Sequence, residues 1–253
     1  MGKYIYCIVE KKDHPEFTSQ NIGKEYSPVY SLYYKEIGAV ISESPIIKYP
    51  LISDNYIAHQ KVVEEAQSFN LIPLPVRFGT IANDEESILA ILEKRYNDFQ
   101  SNLEQMHGKH ELGLKLFWKE NTAYNEILQE NPTIRSERDK LKLLDPDKTY
   151  FQRIRVGELV EKAIEEKRER EKQEYINRFQ NICYDVSFGR IIGDKMILNA
   201  AFLVDKNMEK QMDEEVNRIA ITNESRLKIK YVGPVPPFNF VEITINTNDL
   251  GLN

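Results

Sequence analysis

Four histidines, two cysteines and forty acidic side chains are the reactive groups in this 253-residue chain. His14 sits beside Pro15 in a polar stretch and reads as a surface residue. His59 falls in an amphipathic stretch, where a lone imidazole is more simply a surface or hydrogen-bonded residue than a ligand. His107-Gly-Lys-His110 invites a metal ion. Gly108 breaks the helix that would present that pair, however, and no cysteine or acidic cluster accompanies it, so no metal and no cofactor are expected. Cys7 and Cys183 each lie in an apolar run. They are too few for a disulfide framework and read as small buried hydrophobes. The chain has no Walker loop, no G-x-G-x-x-G, no G-x-S-x-G and no H-E-x-x-H. Its acids crowd into helical stretches, where ion-paired surfaces account for them. Carboxylates converging from distant parts of the chain stay open at this stage. No catalytic residue is assigned, and the expectation is a protein that is not an enzyme.

Rigid apolar material stands out instead. Leu71-Ile-Pro-Leu-Pro-Val-Arg-Phe-Gly-Thr-Ile81 reads as a short strand over 71–78 ending at Gly79. Pro73 and Pro75 cannot donate to a ladder, which places this strand at a sheet edge. Arg77 and Phe78 follow at its exit. Arg77 reads either as a buried ion-pair anchor bracing neighbouring loops or as an interface residue. Near the other end, Gly233-Pro-Val-Pro-Pro-Phe-Asn-Phe240 reads as a stiff aromatic turn. Each Pro fixes φ, so little freedom is lost if the turn docks on a partner. Phe238 and Phe240 therefore either line an interface or plug the sheet of their own domain. The candidate motif residues are Arg77, Phe78, Gly79, Gly233, Pro234, Pro236, Pro237, Phe238 and Phe240.

The elements that carry these motifs follow from periodicity. Tyr4–Val9 is apolar throughout, the pattern of a central strand covered on both faces. Residues 10–27 form a loop or a short irregular helix. Val29–Tyr34 and Ile37–Ser42 form a hairpin turning at Lys35-Glu36. A helix capped by Ser53 or Asp54 runs to about Phe69. A second helix, with Asn83 as cap and Glu86 in its capping box, runs from Asp84 to about Met106. Leu112–Trp118 alternates like a half-buried strand. Asp145-Pro146 opens a helix of about 50 Å reaching Gln180. The middle of that helix, Glu165–Glu174, has no apolar face and reads as solvated and steadied by pairs such as Glu166–Arg170. Strands at 183–189 and 196–204, a helix capped by Asp205 and a strand at 227–232 follow. The tail from Phe238 to Ile245 docks as a further strand.

The fold class expected is α+β: two ferredoxin-like β-α-β-β-α-β modules, the second modified by the long charged helix and extra helices. The division expected is residues 1–107 and 108–253. Hydrophobic content of 41% and charged content of 29% are those of a globular chain. Net charge −6 and pI near 5.5 argue against a nucleic-acid binder. No apolar run approaches the roughly 20 residues of a membrane span. The N-terminus runs into charged residues too soon for a secretory core. The expectation is a soluble cytoplasmic protein without nucleic-acid or membrane partners.

Pro75-Val-Arg-Phe-Gly-Thr80, Glu111-Leu-Gly-Leu-Lys-Leu-Phe-Trp118 and Gly233-Pro-Val-Pro-Pro-Phe-Asn-Phe-Val241 resemble, in order, motifs of the gas vesicle protein F/L family (GvpF/GvpL). The resemblance spans essentially the whole chain. The family's final turn usually reads Gly-Pro-Trp-Pro-Pro-Tyr; here Val235 and Phe238 replace Trp and Tyr. The resemblance implies an accessory or minor structural protein that binds the small hydrophobic shell protein of gas vesicles. It also implies help in vesicle assembly by keeping that protein from aggregating, contact with other gas vesicle accessory proteins, and no enzyme activity. Two other readings stay open: a small-molecule-binding or enzymatic ferredoxin-like protein, and a scaffold whose contact is the charged helix at 165–174.

Overall fold

The computed structural model describes residues 1–12, 15–18, 21–23 and 26–245. His14 lies outside them. The chain divides into two compact units, Met1–Glu111 together with the residues from Gly233 onward, and Leu112–Val232. The expected single cut after residue 107 therefore gives way to a discontinuous first unit. The reason is local: backbone bonds and a buried carboxylate fasten the C-terminal stretch to the first unit, as described below.

In the first unit, β1 (Gly2–Glu10), β2 (Val29–Tyr34) and β3 (Ile37–Ser44) precede α1 (Ser53–Ser68), β4 (Leu74–Pro75), β5 (Ile81–Ala82), α2 (Glu85–Lys94) and α3 (Tyr96–Met106). The sheet order is β2-β3-β1-β4, with β5 also on β1, and all these pairs are antiparallel. Tyr4 to Val9 are no more than 1% exposed, so β1 is central and covered on both faces. Tyr34 faces Ile37 across the hairpin, and Lys35 takes a left-handed conformation in the two-residue turn. Val62, Val63 and Ala66 of α1 pack with Tyr4, Tyr6 and Val9.

Several local expectations are corrected. Between β1 and β2 no helix forms among the described residues, so the β-α-β-β-α-β order breaks at its first helix. Ser53 and Asp54 lie inside α1; its cap position is Ile52, whose side chain makes no capping bond. The cap of α2 is Asp84, which accepts from the Ser87 amide, and not Asn83 with Glu86. The helix expected over 84–106 is two helices, broken at Arg95. After it, Gly108 turns the chain at φ +71°.

The second unit holds most of β6 (Lys109–Trp118), then α4 (Thr122–Glu130), α5 (Pro132–Lys142), α6 (Tyr150–Phe179), β7 (Asp185–Phe188), β8 (Met196–Asp205), α7 (Glu209–Thr222) and most of β9 (Leu227–Val235). Its sheet order is β7-β8-β6-β9. Leu112, Leu114, Leu116 and Trp118 alternate onto one face and meet Phe179, Phe202, Met212 and Ile219 in the core. Ile127, Leu128 and Ile134 of α4 and α5 form a smaller cluster against Val160, Ala163 and Ile164 of α6.

α6 has 30 residues, about 45 Å at 1.5 Å per residue, and begins at Tyr150 after one 3-10 turn. Asp145 accepts from the Asp147 amide in that turn. The 183–189 strand shortens to β7, and Asp205 makes no side-chain capping bond.

The expected solvated middle of α6 is corrected more deeply. Lys167 and Glu171 are buried. Lys167 reaches Glu130 at 2.6 Å, Glu126 at 3.1 Å and Glu171 at 3.4 Å. Arg226 bridges Glu126 and Glu171, each at 2.6 Å. Arg170 pairs with Glu130, and Glu166 with Lys162. One face of the helix is thus a closed ion-pair network that fastens α4 and α6 to the loop before β9. Burial is tolerated because each buried charge has partners of opposite sign.

Candidate functional site

The site grows from Leu71–Ile81. Pro73 and Pro75 limit pairing, so β4 is two residues long instead of the expected eight, and it lies at the sheet edge. Val76 still donates to the Tyr6 carbonyl at 3.0 Å. On its outer side Val76 bridges Ile243 in parallel: Arg77 N–H donates to the Ile243 carbonyl at 3.1 Å, and Ile243 N–H donates to the Pro75 carbonyl at 3.1 Å. The tail docks through this bridge and an Arg95 side-chain bond to the Thr244 carbonyl at 3.0 Å, not as a full strand. The chain then turns, with Thr80 donating twice to the Arg77 carbonyl and Gly79 at φ +83°.

The Gly79 amide donates to the Tyr4 hydroxyl at 2.9 Å. That hydroxyl lies 3.0 Å from His59 Nδ1. The hydroxyl and the imidazole share one hydrogen bond, so both are partnered in the core. Burial pushes the His59 pKa down to about 4, and the ring is neutral at pH 7. Burial likewise pushes Tyr6 up to about 12; its hydroxyl lies 2.9 Å from Ser42 Oγ and accepts from the Ile22 amide.

Above this buried pair lies a groove of about 770 Å³, walled by Tyr56, His59, Phe78 and Phe238, with two cations, Lys48 and Arg77, and one acid, Glu242, also lining it. The Phe78 ring centroid is 5.8 Å from that of His59 and 6.1 Å from that of Tyr56. A second groove of about 860 Å³, lined by Ile22, Tyr26, Ile47 and Ile52, shares Tyr49 and Pro50 with the first. The segment between them exposes Ile46, Ile47, Leu51 and Ile52, with Leu51 74% exposed. The imidazole is held neutral under a stack of rings, and the walls are aromatic and aliphatic. Such a surface suits binding of an apolar chain, with cations at its rim.

The structure brings Arg77, Phe78, Gly79 and Phe238 to one groove from positions about 160 residues apart. Arg77 is exposed and has no ion pair among the described residues, so the buried-anchor reading is corrected; only its backbone braces the turn. Gly233 and Pro234 are not a turn. They lie exposed in β9, joined by a cis peptide, outside the groove lining. Pro236 and Pro237 are buried; Phe238 is half-buried and packs on the core of the first unit; Phe240 is half-buried and outside the lining. Glu111 holds this stretch in place, accepting from the Asn239 amide at 2.8 Å and from its side chain at 2.5 Å. Burial raises the Glu111 pKa.

Sequence reasoning missed the 45–57 segment. The signal was present: isoleucine and leucine pairs beside Pro45 and Pro50, in a stretch too short to bury them.

Among the described residues no group of three or more His, Cys, Asp or Glu is placed to hold a metal ion. His107 ends α3, while His110 is buried in β6. Cys7 is wholly buried, and burial raises its thiol pKa far above the usual range. No helix among the described residues is long and apolar enough to cross a membrane.

The family model described as gas vesicle synthesis protein GvpL/GvpF matches residues 2–242. The chain belongs to the GvpL/GvpF family. Gas vesicle protein F of Streptomyces sp. (strain CB03234) is 28% identical to it over 96% of this chain and 100% of that protein. The crystal structure of GvpF from Anabaena sp. PCC7120 shares its fold, with TM-score 0.80, 24% identity, and coverage of 96% of this chain and 99% of that one. The crystal structure of GvpF from Microcystis aeruginosa is similar, with TM-score 0.70, 26% identity, and coverage of 94% and 98%. The role of this GvpL/GvpF-family chain is a gas vesicle role, and its architecture is α+β with two separate sheets.

Proposed function

We propose that this protein is a gas vesicle assembly factor that binds the small hydrophobic shell protein and covers its apolar surface before and during assembly. The observation that carries this reading is the exposed apolar segment at 46–52 set between two grooves of the first unit. An aggregation-prone subunit needs a soluble partner offering apolar surface at low ordering cost. Prolines at 45, 50 and 75 stiffen that surface. Arg77, Phe78, Gly79 and Phe238 form one end of the contact. Gly233, Pro234, Pro236, Pro237 and Phe240 support it as the strand and turn that deliver Phe238. The protein works in the cytoplasm, with gas vesicles and their other accessory proteins as its company, and it carries out no reaction. The like strand orders β2-β3-β1-β4 and β7-β8-β6-β9 support reading both units as variants of one ferredoxin-like plan.

The test is co-purification with the shell protein. Wild-type chain should retain it. Chains carrying Leu51→Ser with Ile52→Ser, or Phe78→Ala with Phe238→Ala, should lose most of it. Failure of the wild-type chain to associate in any format would sink the proposal.

A further inference from the structure

A second apolar surface lies in the second unit, where α5 passes into α6. Leu143 is 89% exposed and Phe151 82%, with Leu144, Tyr150 and Ile154 exposed beside them. Large apolar side chains this open, gathered in one stretch, mark a contact surface. The stretch is built, not loose. Arg153 donates to the Leu141 carbonyl at 2.6 Å, to the Leu144 carbonyl at 3.2 Å and to Thr149 Oγ1 at 3.0 Å. Thr149 is buried and donates to the Asp145 carbonyl at 2.8 Å. The rings of Tyr150 and Phe151 meet edge to face, their centroids 5.4 Å apart.

The charges around it are mostly basic. Residues 140–157 carry five basic and two acidic side chains in a chain of net charge −6. Lys148 lies in the 3-10 turn before α6 beside Asp147, Arg153 braces that turn, and Arg155 follows in the second turn of α6. Lys140, Lys148 and Arg155 are exposed and have no ion-pair partner among the described residues. Cations left unpaired beside an apolar ridge are positioned for an anionic partner.

Shape narrows the partner further. Tyr150, Ile154 and Gly157 follow at helical spacing along one ridge of α6. Nothing lies within 4 Å of where a Gly157 Cβ would stand. A glycine inside a helix weakens it, and here it leaves space for another backbone to come close. We infer that Leu143, Leu144, Tyr150, Phe151, Ile154 and Gly157 form a docking ridge for an amphipathic helix of a partner protein whose flanks are acidic. The apolar ridge meets the partner's leucine face, and Lys140, Lys148 and Arg155 meet its carboxylates.

The full chain is titrated into a labelled synthetic helix about three heptads long, with Leu on one face and Glu on both flanks. A matched helix with Lys flanks is the control. The Glu-flanked helix should bind at least about tenfold more tightly, an advantage that shrinks with added salt. Phe151→Ser and the pair Lys148→Glu with Arg155→Glu should each abolish binding. Gly157→Ala should weaken binding while raising the melting temperature, which separates docking from folding. Ile221→Ser, at an exposed position on α7 outside both apolar surfaces, should leave it unchanged. Equal binding of both helices, or binding indifferent to Gly157→Ala and Phe151→Ser, overturns the inference. So does failure to bind either helix when Phe151→Ser abolishes self-association in sedimentation, or abolishes binding to phosphatidylglycerol vesicles. Those results would assign the ridge to a second copy or to an anionic bilayer.

Discussion

The Trp118 indole N–H donates to a carboxylate oxygen of Glu171 at 3.0 Å, with both residues buried. This bond sets the charged middle of α6 against the last residue of a central strand. The other Glu171 oxygen takes Arg226 and lies near Lys167, so one carboxylate answers three donors.

Glu171→Ala should therefore be severe. It leaves Trp118 Nε1 without its acceptor and weakens the pairing of Lys167 and Arg226. Loss of a partner from a buried ion network costs about 3 kcal/mol. Urea unfolding of the variant should show that loss at neutral pH, while Glu169→Ala, at an exposed position on the same helix, stays within about 0.5 kcal/mol of wild type.

Acid should loosen the same network. Hydrogen bonding to Arg226, with smaller help from Lys167, holds the Glu126 pKa below its ordinary 4.5. A carboxylate with a depressed folded pKa adds stability above the unfolded value, and that stability is lost as pH falls through the folded value. Tryptophan fluorescence, which reports on Trp118 alone because it is the one tryptophan of the chain, should begin to change below about pH 4.5. Glu126→Gln should show a weakened network already at pH 7 and a smaller change on acidification.

His59 titrates in a different window. Burial lowers its pKa from 6.5 to about 4. The unfolded chain binds this proton near 6.5 and the folded chain only near 4. The contribution is full above 6.5 and shrinks as pH falls toward 4, by up to about 3 kcal/mol. His59→Phe should flatten the stability profile between pH 6.5 and 4, at the cost of leaving the Tyr4 hydroxyl without its imidazole partner. A profile of unchanged slope would contradict the buried, neutral assignment.

Glu111→Ala should release the stretch that delivers Phe238. Asn239 would lose both its contacts with Glu111. Faster hydrogen exchange at the Arg77 and Ile243 amides, which join this stretch to β4, is the expected readout. Amides of β1 and β3 should keep their protection.

Leu51→Ser should separate stability from binding. Leu51 is largely exposed, so its replacement should change stability by no more than about 0.5 kcal/mol. A drop in shell-protein retention with an unchanged unfolding midpoint is the expected result.

Local pattern alone settled much of this protein. The alternation of Leu112, Leu114, Leu116 and Trp118 faces one core as read, the apolar run at Tyr4–Val9 is central, the hairpin turns at Lys35-Glu36, and the chain breaks at Gly108. Period and turn chemistry are properties of a few neighbouring residues, so they survive without knowledge of the rest. The GvpL/GvpF motifs were likewise legible as residues in order.

Tertiary structure decided what depends on a distant partner. Lys167 and Glu171 look solvated in sequence because only Glu126, Trp118 and Arg226, from elsewhere in the chain, make their burial tolerable. Phe78 and Phe238 share a groove because the Val76–Ile243 bridge and the Glu111–Asn239 bonds bring the tail back. Ile46, Ile47, Leu51 and Ile52, like Leu143, Leu144, Phe151 and Ile154, stay exposed because no element among the described residues of their own unit covers them. Whether a side chain is buried is set by what the fold carries to it, and a one-dimensional pattern holds no record of that.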